Sequence, residues 1–291
     1  MTVYYVFGDT GGHHQQLLNG LVNVGLNSDT FKLPENTVII HVGDLIHKGP
    51  DSDKVVQLVN TVMAQNPDQW VQLWGNHEMN YFYRYGAPFF WKQKLSPETL
   101  ETLTSWYQER KACFAYVVPE QVCWDDLVVS ARPVNVPEKQ TLITHAGVTL
   151  DFWEQRLGSE KDAGKVAEHL NTMSIREVTA AGMMLNHPHV PGPVWAAVEN
   201  ELWASWDEDM TEGPFNQIHG HTSPYQFSST NQEGVWFPGT TKLFKKTTRV
   251  NPTNRVVTTW VHNTVHVSVD PGFEKQVWVK SQPYLTLPSM V

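Results

Sequence analysis

The sequence predicts an α/β fold in which parallel strands alternate with helices. Two strand-like runs, Val38–Val42 and Trp70–Trp74, are separated by one helical pattern, and a third run, Val3–Phe7, opens the chain. Two strands joined by a helix form a parallel β-α-β unit, and ligands collect at the carboxyl ends of the strands in such sheets. The ends of these strands are therefore where a functional site is expected.

The N-terminal part is predicted to run β-α-β-α-β. Leu17, Leu18 and Leu21 fall at helical spacing, so a helix is expected over residues 14–24. A second helix is expected through Met63, because Asp51 and its neighbours form a favourable helix N-terminus. A third helix is expected over residues 77–85, directly after the third strand.

Two stretches are interpreted as insertions into one domain that covers residues 1–291. Residues 86–137 are expected to lie over the strand ends, and residues 148–214 form a helical, cap-like insertion broken by the prolines near His187. The elements predicted in these stretches and beyond are helices over 97–111, 161–173, 175–185 and 194–206 and strands over 114–118, 127–131, 141–144, 234–237, 255–262, 265–269 and 276–280, together with the strand of His221 within 216–222.

Composition excludes several classes of function. The 291 residues, 41% of them hydrophobic, can fill a sizeable core, and the net charge of −9 argues against a broad nucleic-acid or membrane-surface footprint. Two cysteines, Cys113 and Cys123, are too few for a disulfide framework and indicate a reducing compartment. Without a signal-peptide pattern or a bilayer-length apolar stretch, a cytoplasmic protein is expected. The sequence carries no signal for an oligomeric state.

Five predicted strand ends present side chains that can bind metal ions. They are Asp9, Asp44, Asn76, His145 and His221. Each has an ordinary alternative, since Asp after Gly forms turns, Asn caps helices, and His beside a strand can bond to a carbonyl group. Five such sites in order favour metal binding. Oxygen and imidazole ligands together suit paired manganese, iron or zinc ions better than calcium or magnesium.

These residues resemble the calcineurin-like metallophosphoesterase superfamily, within it the branch of phosphoprotein phosphatases and symmetrical diadenosine tetraphosphate hydrolases. The resemblance implies a four-layer α/β/β/α sandwich of two mixed sheets with inserted cap segments, and metals at one edge. The matching motifs are Gly8-Asp9, residues 43–52 (GDLIHKGPDS), Gly75-Asn76-His77-Glu78, His145-Ala146-Gly147, Gly220-His221-Thr222 and, at the closing strand, Val269-Asp270-Pro271-Gly272.

The resemblance also implies a role for each motif residue. Asp9 would bind the first of two divalent metal ions and Asp44 would bridge both, while the second ion would be held by Asn76, His145 and His221. Manganese is the expected metal, with iron, zinc and nickel as alternatives. A hydroxide shared by the ions would attack phosphorus, and His77 would protonate the leaving group as the general acid.

Two departures from the family pattern affect the site. Gly11 stands where the family has a histidine that binds the first metal. His13 is therefore either a ligand that reaches back across the two glycines or a residue at the start of the helix. The family's Asp-Arg pair is replaced by His47-Lys48. Lys48 is expected to contact phosphate but lacks the two-pronged guanidinium, and His47 cannot act as an anionic partner of the acid histidine.

The expected activity is hydrolysis of phosphomonoesters in a phosphopeptide, a nucleotide or a small phosphorylated metabolite. His47 near the substrate, and Arg84, two helical turns after His77, are candidates for substrate contacts alongside Lys48. The alternatives are a phosphodiesterase or diadenosine polyphosphate hydrolase and, from another class, a non-catalytic binding scaffold. The presence of Asp44, Asn76, His77, His145 and His221 argues against the scaffold, whereas Gly11 in place of a ligand keeps it open.

Overall fold

A computed structural model of the chain describes residues 2–82, 94–119, 122, 138–179, 190–208, 212–223, 249–250, 256–272 and 284–287. The strands are β1 (Val3–Phe7), β2 (Thr37–His41), β3 (Trp70–Leu73), β4 (Ala112–Cys113), β5 (Ala115–Val117), β6 (Thr141–Thr144), β7 (Asn216–His219), β8 (Arg249–Val250), β9 (Val257–Val261), β10 (Thr264–Ser268) and β11 (Tyr284–Leu287). The helices are α1 (His14–Asn23), α2 (Ser52–Gln65), α3 (Asn76–Met79), α4 (Pro97–Gln108), α5 (Leu150–Leu157), α6 (Ala163–Thr172), α7 (Ile175–Val178) and α8 (Ala204–Glu208), with a π-helical segment, Val198–Trp203, before α8.

The described strands form two mixed sheets, as predicted. The first has the order β11-β1-β2-β3-β4, in which β1 to β4 run parallel and β11 pairs antiparallel with β1. The second has the order β5-β6-β7-β10-β9-β8, with β6, β7 and β10 parallel. The remaining neighbours in that sheet are antiparallel. The α/β class and the pair of mixed sheets are thereby confirmed.

The two sheets pack face to face through an apolar core. Alternate residues of a strand point to opposite faces of its sheet. The inward-facing residues form one buried cluster that includes Val6, Ile40 and Leu73 from the first sheet and Ile143, Ile218 and Val267 from the second. A second buried cluster joins the outer faces of the sheets to the helices. The carboxyl ends of the parallel strands in both sheets are thus held at fixed positions.

Two helices differ from the predictions. Helix α3 ends at Met79 and is followed by a turn through Phe82, whereas the sequence predicted a helix over residues 77–85. Helix α5 was not predicted, although its signals are present. The Thr149 hydroxyl accepts the backbone N–H of Phe152 at 3.3 Å, and Gly158 closes the helix in the left-handed conformation at φ 62°.

The predicted insertions contribute to the sandwich where the structure describes them. Within 86–137, residues 94–119 supply α4 and one edge strand to each sheet, since β4 pairs with β3 and β5 pairs with β6. That this segment lies over the strand ends stays a prediction. Within 148–214, α6 packs on β5 and β6. The predicted strands at 127–131, 234–237 and 276–280 lie outside the described residues.

In the described part of the chain, the longest helix is α2 with 14 residues, and none of the helices has the length and apolar character needed to cross a bilayer.

His266, on β10, is expected to make the fold sensitive to acid. Its side chain is buried, and burial together with the nearby His219 lowers its pKa from the ordinary value of 6.5 to about 3. Between these values the unfolded chain binds a proton that the folded chain does not, so the free energy of unfolding is greatest above pH 6.5. As the pH drops from 6.5 toward 3, the contribution of His266 lowers the free energy of unfolding by about 1.4 kcal/mol per pH unit.

The expected result of His266→Leu or His266→Gln is therefore a flatter dependence of unfolding free energy on pH. The slope of unfolding free energy against pH reports the difference in bound protons between the unfolded and folded states. Between pH 6 and pH 4 this difference should be smaller by about one proton in both variants, because neither replacement titrates there. Urea denaturation at a series of pH values measures the slope. An unchanged slope in both variants would assign the acid sensitivity to other groups.

Candidate metal centre

Six of the sequence-predicted site residues lie at the carboxyl ends of parallel strands from both sheets. They are Asp9 after β1, Asp44 after β2, Asn76 and His77 after β3, His145 after β6 and His221 after β7. All but His221 are buried, and His221 is partly buried. Because these strands are parallel and their sheets face one another, their ends meet at one edge of the sandwich. The structure therefore brings together side chains that are up to 212 positions apart.

Four of these side chains meet at ligand distances. His145 Nε2 lies 3.4 Å from Asp44 Oδ1 and 3.0 Å from the terminal amide of Asn76. His221 Nδ1 lies 3.1 Å from the same amide. The ligand atoms of Asp44, His145 and His221 all lie within 4.8 Å of one another. A single cation can contact all of them.

The protonation of His145 fits a metal ligand. Its Nδ1 lies 2.8 Å from the carbonyl oxygen of Val42, which only accepts, so Nδ1 carries the hydrogen and Nε2 presents a lone pair. Burial lowers the pKa of His145, against the opposing effect of Asp44, and keeps the ring neutral. A lone pair that faces a carboxylate oxygen is repelled by it. A cation between His145 and Asp44 converts this repulsion into shared ligation, so the donor set fits a divalent metal.

Asp9 places a second carboxylate beside this group. It accepts the backbone N–H of His221 at 3.1 Å and 3.2 Å. A Cβ atom on Gly220 would overlap the Asp9 carboxylate, so glycine is required for this approach. Burial raises the pKa of Asp9 well above its usual range, and the charges of Asp270 and Asp44 raise it further. Positive charge at this position would stabilise the ionised form of Asp9.

Two contributors were not assigned roles from the sequence. Asp270, buried after β10, acts on Asp9 through its charge. Glu78 accepts backbone N–H groups of Asp44 at 2.9 Å, Leu45 at 2.8 Å and Gly75 at 3.0 Å. It therefore ties the loop after β2 to the loop after β3. The capping-box spacing from Gly75 to Glu78 is the sequence signal that could have indicated this.

Lys48 lies at the mouth of the centre and faces the position of the missing histidine. Its Cβ and Cδ lie 3.6 Å from where a Cβ on Gly11 would be. Its charge lowers the pKa of both Asp9 and Asp44, although burial is the largest influence on each carboxyl group and acts in the opposite direction. The structure places His13 at the start of α1, with Nδ1 3.0 Å from the carbonyl oxygen of Thr10. Metal binding by His13 stays a prediction.

His77 points its two ring nitrogens in different directions. Its Nε2 lies 3.5 Å from Asp44 Oδ2, and its Nδ1 lies 3.1 Å from the carbonyl oxygen of Ile46 and 3.2 Å from His47 Nδ1. His47 thus contacts His77 directly. Arg84, the third predicted substrate contact, lies outside the described residues.

The loop that carries His47 and Lys48 is strained. Both residues adopt the left-handed conformation, at φ 70° and φ 60°, which is unfavourable by about 1–2 kcal/mol for a residue with a Cβ. Lys48→Gly is therefore expected to give a free energy of unfolding about 1 kcal/mol higher than Lys48→Ala. Both variants should lose phosphate affinity to the same degree, because both remove the ammonium group.

Urea denaturation and the inhibition constant of inorganic phosphate measure the two effects. Equal stability of Lys48→Gly and Lys48→Ala would show that the conformation at Lys48 stores no strain.

Comparisons with known proteins match the chain to a family model and to two phosphate-cleaving relatives. A family model described as calcineurin-like phosphoesterase matches residues 3–250. The chain is 37% identical over 101 residues to the zinc-dependent endopolyphosphatase of Saccharomyces cerevisiae, covering 34% of this chain and 28% of that protein. It is 28% identical over 149 residues to the asymmetrical bis(5'-nucleosyl)-tetraphosphatase PrpE of Oceanobacillus iheyensis, covering 49% of this chain and 55% of that protein. The chain thus matches about a quarter of the length of the first relative and about half of the length of the second.

Among solved structures, the cold-active protein-tyrosine phosphatase of a psychrophilic Shewanella species has the same fold. The TM-score is 0.52 at 16% sequence identity, over 98% of this chain and 75% of that one.

Proposed function

The chain belongs to the calcineurin-like phosphoesterase family, and on that premise we propose that it hydrolyses phosphate esters at a centre of two divalent metal ions. The observation that carries the proposal is the neutral Nε2 of His145, which faces Asp44 Oδ1 at 3.4 Å. A divalent cation placed between these two electron-rich atoms would be bound by both, which supports metal binding at this buried position.

The ligands divide into two sets that share one residue. Asp9 and Asp44 would hold one ion, and Asp44, Asn76, His145 and His221 would hold the other. A mixture of carboxylate, amide and imidazole ligands suits manganese or zinc. Manganese is the metal we propose, and zinc is the alternative, as a relative from Saccharomyces cerevisiae is named as zinc-dependent.

The chain's own residues supply binding and proton transfer. The ions, when bound, acidify a water molecule and neutralise charge on the phosphoryl oxygens. Lys48, exposed at the mouth, would bind a phosphate oxygen by charge alone. His77, with one hydrogen on Nδ1, would take up a second proton on Nε2, which points toward the centre, and donate that proton to the leaving oxygen.

Phosphomonoesters are the proposed substrates. A monoester carries up to two negative charges and a diester carries one. The Lys48 ammonium group therefore attracts a monoester more strongly. A second candidate is cleavage of phosphoric anhydrides, which is favoured by the names of the two relatives, an endopolyphosphatase and a bis(5'-nucleosyl)-tetraphosphatase. Anhydride cleavage releases a phosphate or a nucleotide and requires less help from a proton donor than an alkyl ester does.

The test compares four substrates with the manganese-loaded full chain. They are p-nitrophenyl phosphate, bis(p-nitrophenyl) phosphate, inorganic polyphosphate and diadenosine tetraphosphate. We expect metal-dependent turnover with the highest kcat/KM for the monoester. A preference for the bis ester would establish a phosphodiesterase, and a preference for the last two would establish the anhydride candidate. No turnover of any of them by the metal-loaded protein would favour a binding scaffold.

A further inference from the structure

Three side chains form a hydrogen-bonded chain that leads away from the metal centre. His77 Nδ1 lies 3.2 Å from His47 Nδ1, and His47 Nε2 lies 2.6 Å from the hydroxyl of Tyr81. Both histidines are buried, and Tyr81 is 38% exposed. The chain therefore connects the inner imidazole to the protein surface through two contacts.

The carbonyl oxygen of Ile46 sets the direction of this chain. It lies 3.1 Å from His77 Nδ1 and can only accept, so His77 Nδ1 carries a hydrogen. His47 Nδ1, which faces the same hydrogen, must then present its lone pair. A neutral imidazole carries one hydrogen, so that of His47 lies on Nε2 and is donated to the Tyr81 oxygen.

We propose that Tyr81 and His47 are positioning residues that hold His77 with its hydrogen on Nδ1 and its Nε2 aimed at the metal centre. This inference rests on the proposed function, because it concerns the residue proposed as the proton donor. In this chain a neutral imidazole and a phenol take the place that an acidic side chain has in the resembled phosphatases. A positioning role was predicted from the sequence for neither Tyr81 nor His47.

The surroundings of the chain support neutral partners. Burial, with help from His77, lowers the pKa of His47 to about 4, so this imidazole is uncharged at neutral pH. Burial and the charge of Glu78 raise the pKa of Tyr81 to about 12, so its hydroxyl keeps its hydrogen.

The backbone holds the His47 ring in place. The backbone N–H of His47 donates to Ser52 Oγ at 2.8 Å. The left-handed backbone conformation of His47, at φ 70°, directs the side chain between His77 and Tyr81. Strained residues of this kind persist where the surrounding structure over-determines them, and they concentrate at functional sites.

Tyr81→Phe tests the proposal, because it removes the hydroxyl and keeps the ring, which packs against His47 at 5.6 Å. A proton donor matters most for esters with poor leaving groups. We expect kcat/KM to fall about tenfold for an alkyl phosphate and less than about twofold for p-nitrophenyl phosphate. The matched control is Tyr107→Phe, which removes a hydroxyl from an exposed tyrosine in the neighbouring aromatic cluster with Phe82 and should change neither value. Equal losses on both esters, or none, would overturn the proposal.

A second readout does not depend on activity. Long-range ¹H–¹⁵N correlation spectra of the zinc-loaded protein report which nitrogen of each histidine carries hydrogen. We expect hydrogen on Nδ1 of His77 and on Nε2 of His47, with a shift of both signals in Tyr81→Phe and not in Tyr107→Phe. The opposite tautomers, or unchanged spectra in Tyr81→Phe, would overturn the positioning role even if the protein hydrolyses esters. If the wild type hydrolyses none of the tested esters while the spectra agree, only the proposed function fails.

Discussion

Asp44→Asn is expected to lower turnover by about a thousandfold or more, because a bound metal ion contributes several kcal/mol to catalysis. The variant keeps the shape of the side chain and removes its charge. Asp44 Oδ1 and Oδ2 lie 3.4 Å and 3.5 Å from the Nε2 atoms of His145 and His77. Asp44 is the one residue assigned to both ions, so its charge is required for either set of ligands.

Metal content should fall together with turnover. Elemental analysis after dialysis is expected to give about two equivalents of manganese for the wild type and one or fewer for Asp44→Asn. Asp53→Asn is the matched control. It makes the same change on α2, where Asp53 Oδ1 accepts the N–H of Ser96 at 3.0 Å, and it should leave both quantities unchanged. An Asp44→Asn variant that binds two equivalents of manganese and remains active would show that Asp44 does not bridge the two ions.

Glu78→Ala is expected to lower the free energy of unfolding by about 3 kcal/mol or more. The buried carboxyl group accepts three backbone N–H groups at 3.0 Å or less, and alanine leaves those donors without an acceptor. Burial and the nearby Asp44 raise the pKa of Glu78 to about 8, while the three donors oppose that change. Glu78→Gln retains one acceptor oxygen and should lose less stability than Glu78→Ala.

The effect on stability is measured by urea denaturation of the metal-free protein, so that loss of metal does not contribute to the difference. Glu168→Ala, on the exposed face of α6, is the control and should change the free energy of unfolding by less than about 0.5 kcal/mol. A Glu78→Ala variant as stable as this control would show that water replaces the carboxylate at no loss.

The strands that position the centre could be predicted because each is encoded locally. β1, β2 and β3 are largely apolar runs followed by a glycine within two residues. The predicted bounds of β1 are the observed ones, and those of β2 and β3 are displaced by no more than one residue at either end. β11 could not be found in this way. It is four residues long and pairs with β1, more than 275 positions earlier, so the information lies in the pairing rather than in the segment.

Parts of the site depend on contacts that no local pattern contains. His47 looked like a poor substitute for a carboxylate, and its partner Tyr81 becomes apparent only when the turn after α3 brings the hydroxyl to Nε2. Asp270 belonged to a motif that was expected only to close the sheet, yet its charge acts on Asp9. In both cases the missing information was the distance between residues from different strand ends.

Anomalous X-ray scattering from crystals soaked in manganese chloride would locate the bound ions. We expect two manganese peaks that share Asp44, one bounded by Asp9 and the other by Asn76, His145 and His221. Crystals that bind manganese elsewhere, with no peak in contact with Asp44, would contradict this expectation.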